Sequence, residues 1–212
     1  MKVSVYLIVP ILLVITGLFV HLGSQWMDRL YAKRKEILTY PQDIDRRRKY
    51  RKWILGVLFF GCEFRLCMTL TEPIDFLLLL VIPLLLLMTL TDFEQYCLFD
   101  EMMIPLAVGG FLWCLLVPET APNHGLAALA GGGVFFLLAV LSGGALGGGD
   151  VKLVAALGLW LGTEHLLSVV CLGMVFGGLA AGLLLLLKKK KRKSAFAYGP
   201  YFTLTTVALF LL

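Results

Sequence analysis

Long apolar runs, separated by short polar stretches, recur along the whole chain and constrain it more than any other feature. They occupy residues 3–23, 53–70, 74–90, 103–117, 125–141, 151–162, 166–187 and 199–212. About 20 helical residues cross the hydrocarbon core of a bilayer. Only helices and closed barrels satisfy their backbone groups there. Runs of this length therefore predict an all-α fold, a polytopic transmembrane helical bundle of about eight spans. The sixth run is short, and the glycine-rich residues 143–149 ahead of it leave a half-buried or re-entrant element open. With 59% hydrophobic and only 16% charged residues in 212, an ordinary soluble domain is excluded. Eight spans use about 160 residues and leave no room for a separate soluble domain. The expected organisation is a first span with a basic cytoplasmic loop over residues 1–52, and a membrane bundle over 53–212. The first run follows Lys2, is longer than a signal-peptide core and lacks a small-residue cleavage site, so it reads as a retained span.

Basic residues orient such a bundle, because cytoplasmic loops carry the excess of Lys and Arg. Residues 24–52 hold ten: Arg29, Lys33, Arg34, Lys35, Arg46, Arg47, Arg48, Lys49, Arg51 and Lys52. Residues 188–193 hold six more, and the opposite loops 71–75, 118–124 and 163–165 hold none. With eight spans both basic stretches fall inside, both termini fall outside, and the acidic stretch 92–101 and Asp150 share the cytoplasmic side. The basic runs read as topology signals that hold anionic lipid headgroups, with no role in nucleic-acid binding.

Metal and redox chemistry have little to work with. Cys62, Cys67, Cys97, Cys114 and Cys171 are scattered without a C-x-x-C pair, and His21, His124 and His165 sit near outer span ends without forming a ligand cluster. Glu63 and Arg65 lie within the second span. Residues two apart do not face each other on a helix, so they are expected to find partners on other helices and to act as a structural anchor.

The informative residues are acidic. Asp92, Glu94, Asp100 and Glu101 follow the leucine-rich third span, and Asp150 closes the run Gly147-Gly148-Gly149-Asp150, 58 positions after Asp92. Two carboxyls brought together cannot both ionise cheaply. One then keeps a proton while the other activates a water, which is the chemistry of an aspartyl protease. On composition alone the glycines read first as close helix packing, and alternatively as room for substrate beside Asp150.

Gly147-Gly148-Gly149-Asp150 with Val151-Lys152-Leu153 resembles the G-x-G-D-[FV]-K-L segment of the type IV prepilin peptidases, polytopic bacterial aspartyl proteases. Asp92 and Asp100 reproduce the spacing of that family's D-x-x-x-x-x-x-P-D stretch. Pro105 matches its continuation, and Tyr198-Gly199-Pro200-Tyr201 is similar to its F-G-P-[FY]. The resemblance covers roughly residues 53–212. It implies an endopeptidase of the bacterial inner membrane that removes the basic leader of prepilin-like precursors at the cytoplasmic face. Asp92 and Asp150 would be the catalytic dyad, with Gly147, Gly149, Lys152 and Asp100 in support and no metal or organic cofactor. Glu94 and Glu101 would add negative charge that attracts the leader. Two departures stand out. Phe99 replaces the usual proline, which predicts a less rigid turn before Asp100. Residues 24–52 also lack the paired C-x-x-C of the long members, which is associated with N-methylation and its S-adenosylmethionine; this chain reads as a short form without that activity. A competing class is a small transporter whose carboxylates form a proton or cation relay, which predicts acids near the midplane and repeat symmetry. Neither is visible in the sequence.

Overall fold

The computed structural model describes residues 5–69, 76–143, 146–187 and 197–212, with backbone alone at 5–8 and 41. Lys2, the 71–75 loop, Gly144, Ala145 and the basic run 188–193 lie outside the described residues. Among the described residues every regular element is helical: α1 (Val5–Lys33), α2 (Ile44–Arg47), α3 (Arg51–Thr69), α4 (Leu78–Gln95), α5 (Asp100–Leu116), α6 (Ala121–Leu141), α7 (Gly148–Leu186) and α8 (Gly199–Phe210). Short 3-10 turns at Lys35–Ile37, Pro41–Asp43 and Arg48–Tyr50 join α1 to α3. By length and composition α1, α4, α6 and α7 can cross a bilayer. Their outward faces carry exposed side chains such as Leu18, Leu80, Leu129, Phe136 and Leu179, a surface suited to lipid and costly in water. The chain is a membrane protein.

The helix limits differ from the apolar runs at their polar ends. α1 continues ten residues past Gly23 to Lys33, and α4 continues past Leu90 to Gln95, so Asp92 and Glu94 are helical rather than in a loop. Hydropathy marks where a helix leaves the apolar core. Backbone hydrogen bonding carries it further, and Tyr96 ends α4 in the left-handed region (φ 54°) with its N–H donating to the Asp92 carbonyl at 2.8 Å.

The expected loop at 163–165 is absent, because those residues are helical within α7. The turn is made by one residue, Gly162, with φ 68° and ψ −179°, a conformation that costs glycine little. It reverses the chain. A Cβ placed on Gly131 of α6 would meet both Val154 at 3.1 Å and Leu166 at 2.7 Å, one from each side of Gly162. In a straight helix those two residues would stand about 18 Å apart along the axis. Residues 148–161 and 163–186 therefore form a helical hairpin along α6. Asn123 Oδ1 accepts from the Thr163 hydroxyl at 2.6 Å at its tip, and Gly158 packs directly on the backbone of Ala127 and Ala128.

α4 is the innermost helix: 67% of its apolar window is buried, against 22% or less for α1, α6 and α7. It packs between α3 and α8, and a hydrogen bond of 2.7 Å between Thr89 and Thr203 hydroxyls ties it to α8 one turn before Asp92. Glu63 is buried on α3 with Oε1 unpartnered, while Arg65 is exposed. Among the described residues neither makes an ion pair with another helix.

Candidate active site

Four chain segments converge at one end of the bundle: the last turn of α4, the 96–99 connection, the first turn of α7 and the first turn of α8. Asp92, on the last turn of α4, is only 6% exposed. Its Oδ2 is buried without a hydrogen-bond partner among the described residues. That oxygen lies against the start of α8, where a Cβ on Gly199 would come within 2.5 Å of it. Pro200, in the first turn of α8, suits a helix start because its missing N–H has no intrahelical partner there.

Asp150 occupies the third position of α7, after the cap residue Gly147, and is half-buried. The Gly147 N–H donates to its carboxylate, the acidic half of a capping box. Asp150 is near enough for its charge to act on the Asp92 carboxyl. Leu98 sits between the two glycine edges, 3.2 Å from a Cβ on Gly149 and 3.4 Å from one on Gly199. The start of two helices beside two carboxyls favours net negative charge there.

The supporting residues divide into separate contacts. Lys152 Nζ pairs with Asp100 Oδ1 at 2.7 Å, both more than half exposed, so the two bind each other at the rim. Gly147, rather than Gly149, borders the Asp150 carboxyl, at 3.4 Å from its Cβ position. Glu94 corrects the expectation of an anion free to attract a basic leader. It is buried, Arg51 Nε and Nη2 both donate to its carboxylate, and the Tyr31 hydroxyl donates to Oε2 at 2.9 Å. Glu101 is likewise engaged, with Arg34 Nη2 at 3.1 Å and Lys33 at 3.8 Å. Phe99, in the place of the family's proline before Asp100, is 1% exposed and packs near Tyr31. His124 is buried, its Nδ1 2.9 Å from the Leu159 carbonyl, away from this end. Burial, and after it the negative charges of Asp92, Asp100 and Glu101, push the Cys97 thiol up to about 11.

Sequence reasoning missed Leu98, Gly199 and Arg51. The Tyr198-Gly199-Pro200 motif pointed at Gly199 without a chemical role. Arg51 was one of ten basic residues counted for topology, and no local signal sets it apart.

Residues 79–183 match the family described as the type IV leader peptidase family. The chain is similar to the prepilin leader peptidase/N-methyltransferase of Aeromonas hydrophila, with 31% identity over 129 residues, covering 58% of this chain and 44% of that protein. The protein of the same description from Aeromonas salmonicida (strain A449) is 32% identical over 129 residues with the same coverage. The match thus spans less than half the length of these curated relatives. No solved structure matches.

Proposed function

Because this chain belongs to the type IV leader peptidase family through residues 79–183, we propose that it is a membrane aspartyl endopeptidase that removes the basic leader from type IV prepilin-like precursors. What supports this reading is the convergence of two helix ends that carry acids 58 positions apart: Leu98 lies against both Gly149, which precedes Asp150, and Gly199, which borders the Asp92 carboxyl. One carboxylate takes a proton from a water as its oxygen adds to the scissile carbonyl. The other carboxyl, protonated, gives its proton to the leaving amine as the C–N bond breaks. Each acid lies beside the N–H of a glycine at a helix start, Asp92 by Gly199 of α8 and Asp150 by Gly147 at the start of α7, so either can hold the charge while the other holds the proton.

The site lies at the cytoplasmic face of a bacterial inner membrane, in an eight-segment topology with both termini outside. What supports this is the contact of Arg34, Arg47 and Arg51, from the basic stretch, with Glu101 and Glu94 beside Asp92. The residues that mark the inner side of a membrane thus share an end with the acids. Basic side chains left at this face hold anionic lipid headgroups.

Co-expression with a candidate prepilin tests the reading. Wild type is expected to shorten the precursor by its leader. Asp92→Asn and Asp150→Asn are each expected to insert normally and leave it whole. Cleavage retained in both variants would refute the dyad. An added methyl group on the wild-type product would reinstate a methyltransferase activity with S-adenosylmethionine as its donor.

A further inference from the structure

α1, α2 and α3 precede the segment matched to the peptidase family, yet the polar stretch joining α1 to α3 grips the very turn that carries Asp92. Arg51, first residue of α3, is 3% exposed and forms a two-pronged contact with the Glu94 carboxylate, Nε to Oε1 at 2.7 Å and Nη2 to Oε2 at 2.5 Å. Its remaining Nη1 donates to Asp28 of α1 at 2.6 Å, and Tyr31 of α1 holds Glu94 from the other side. One guanidinium thereby joins α1, α3 and α4. The next residue is clamped as well: the Gln95 side chain accepts from the Tyr40 N–H at 3.0 Å and donates to the Tyr40 carbonyl at 3.3 Å. Arg47 donates to the Glu94 carbonyl at 3.1 Å and lies over the Tyr40 ring, 3.5 Å from its centroid. It satisfies a helix-end carbonyl that would otherwise lack a partner.

Resting on the peptidase reading, we propose that Arg51 is a positioning residue, which through Glu94 fixes the last turn of α4 and hence the direction of the Asp92 carboxyl. Arg51 and Glu94 are too buried to touch an incoming substrate, so any effect on turnover passes through Asp92, two residues away. A buried ion pair is weak support for stability and is kept where it specifies one geometry over others. The planar guanidinium, which binds a carboxylate at two points, sets a direction that a lysine ammonium cannot.

The test uses purified full chain in lipid vesicles with a prepilin-like precursor, comparing wild type, Arg51→Met, Arg51→Lys, Glu94→Leu and the double variant Arg51→Met/Glu94→Leu. Arg51→Met is expected to lower kcat by roughly 10- to 100-fold, the effect of moving a reacting group by a fraction of an ångström to about 1 Å. KM should stay within about twofold, since no substrate contact is lost. Arg51→Lys should recover part of kcat. The double variant, in which neither member of the pair is left buried without the other, should regain wild-type yield and thermal resistance while kcat stays low. A merely structural pair would restore both. Maleimide labelling of Cys97, with the other four cysteines replaced by alanine, follows the α4 end without needing activity, and should be several-fold faster in Arg51→Met.

Wild-type kcat in Arg51→Met, or full recovery of kcat in the double variant, overturns the proposal. If Asp92→Asn is inactive in the same assay, the peptidase reading stands regardless. An inert wild type with well-folded protein would instead overturn the peptidase reading, and the positioning role with it.

Discussion

Replacing Gly199 with alanine separates catalysis from stability more cleanly than removing an acid. A Cβ at Gly199 would lie 2.5 Å from Asp92 Oδ2 and 3.1 Å from its Cγ. Restoring an ordinary contact of at least 3.4 Å to that oxygen moves the carboxylate by about 0.9 Å. The obstructing atoms belong to the end of a side chain that can rotate, so overpacking stays near the low end of its usual range, about 1 kcal/mol. Exchanging glycine for alanine in a helix returns roughly 0.5–1 kcal/mol, leaving net stability close to unchanged. A displacement of about 1 Å in a reacting group costs up to about 100-fold in rate, equivalent to about 2.7 kcal/mol in the barrier. The assay is initial-rate cleavage of a prepilin-like precursor in vesicles, with thermal unfolding measured on the same preparation. Gly148→Ala is the control, because a Cβ there meets nothing within 4 Å. Gly199→Ala should lose most of kcat with KM and thermal midpoint nearly unchanged, and Gly148→Ala should resemble wild type. Full activity in Gly199→Ala, or an equal loss in both, would refute the claim that the start of α8 sets the Asp92 carboxyl.

Gly149→Val should also impair cleavage, by pushing Leu98 rather than by filling the approach to Asp150, and shortening Leu98 to alanine in the same chain should recover activity. Gly162→Ala forces a side chain into a left-handed conformation and toward Asn123 Nδ2 at 2.6 Å, so thermal unfolding should show a loss of about 1–3 kcal/mol. Asp100→Ala should change stability by less than about 1 kcal/mol, because its pair with Lys152 is exposed and screened. Cys97 should react slowly with maleimide at neutral pH and accelerate as pH rises toward about 11, since a raised thiol pKa withholds the reactive thiolate until the solution is that alkaline. Rapid labelling at pH 7 would contradict the burial of that turn.

The membrane character of the chain, its helical class and the two candidate acids are legible in the sequence, because each is a local property. Apolar runs report the transfer of side chains out of water, and Asp92 and Asp150 stand out as ionisable groups at the polar ends of such runs. The resemblance in Gly147–Asp150 and Tyr198–Tyr201 marked the segments that meet, although it assigned no contact between Gly199 and Asp92. What each acid touches was decided only by the tertiary structure. Glu94 and Glu101 look alike beside Asp92, yet one is buried against an arginine 43 positions earlier and the other pairs at the surface. Phe99 reads as a lost proline until its burial against Tyr31 is seen. The reversal between residues 151–162 and 166–187 was legible from the polar residues 163–165, whereas its being made by Gly162 alone, with 163–165 helical, was decided by the packing of both halves on α6. Burial free energy is summed over local side chains and so can be read along the chain, whereas charge pairing and close backbone approach depend on groups that meet only once the helices pack.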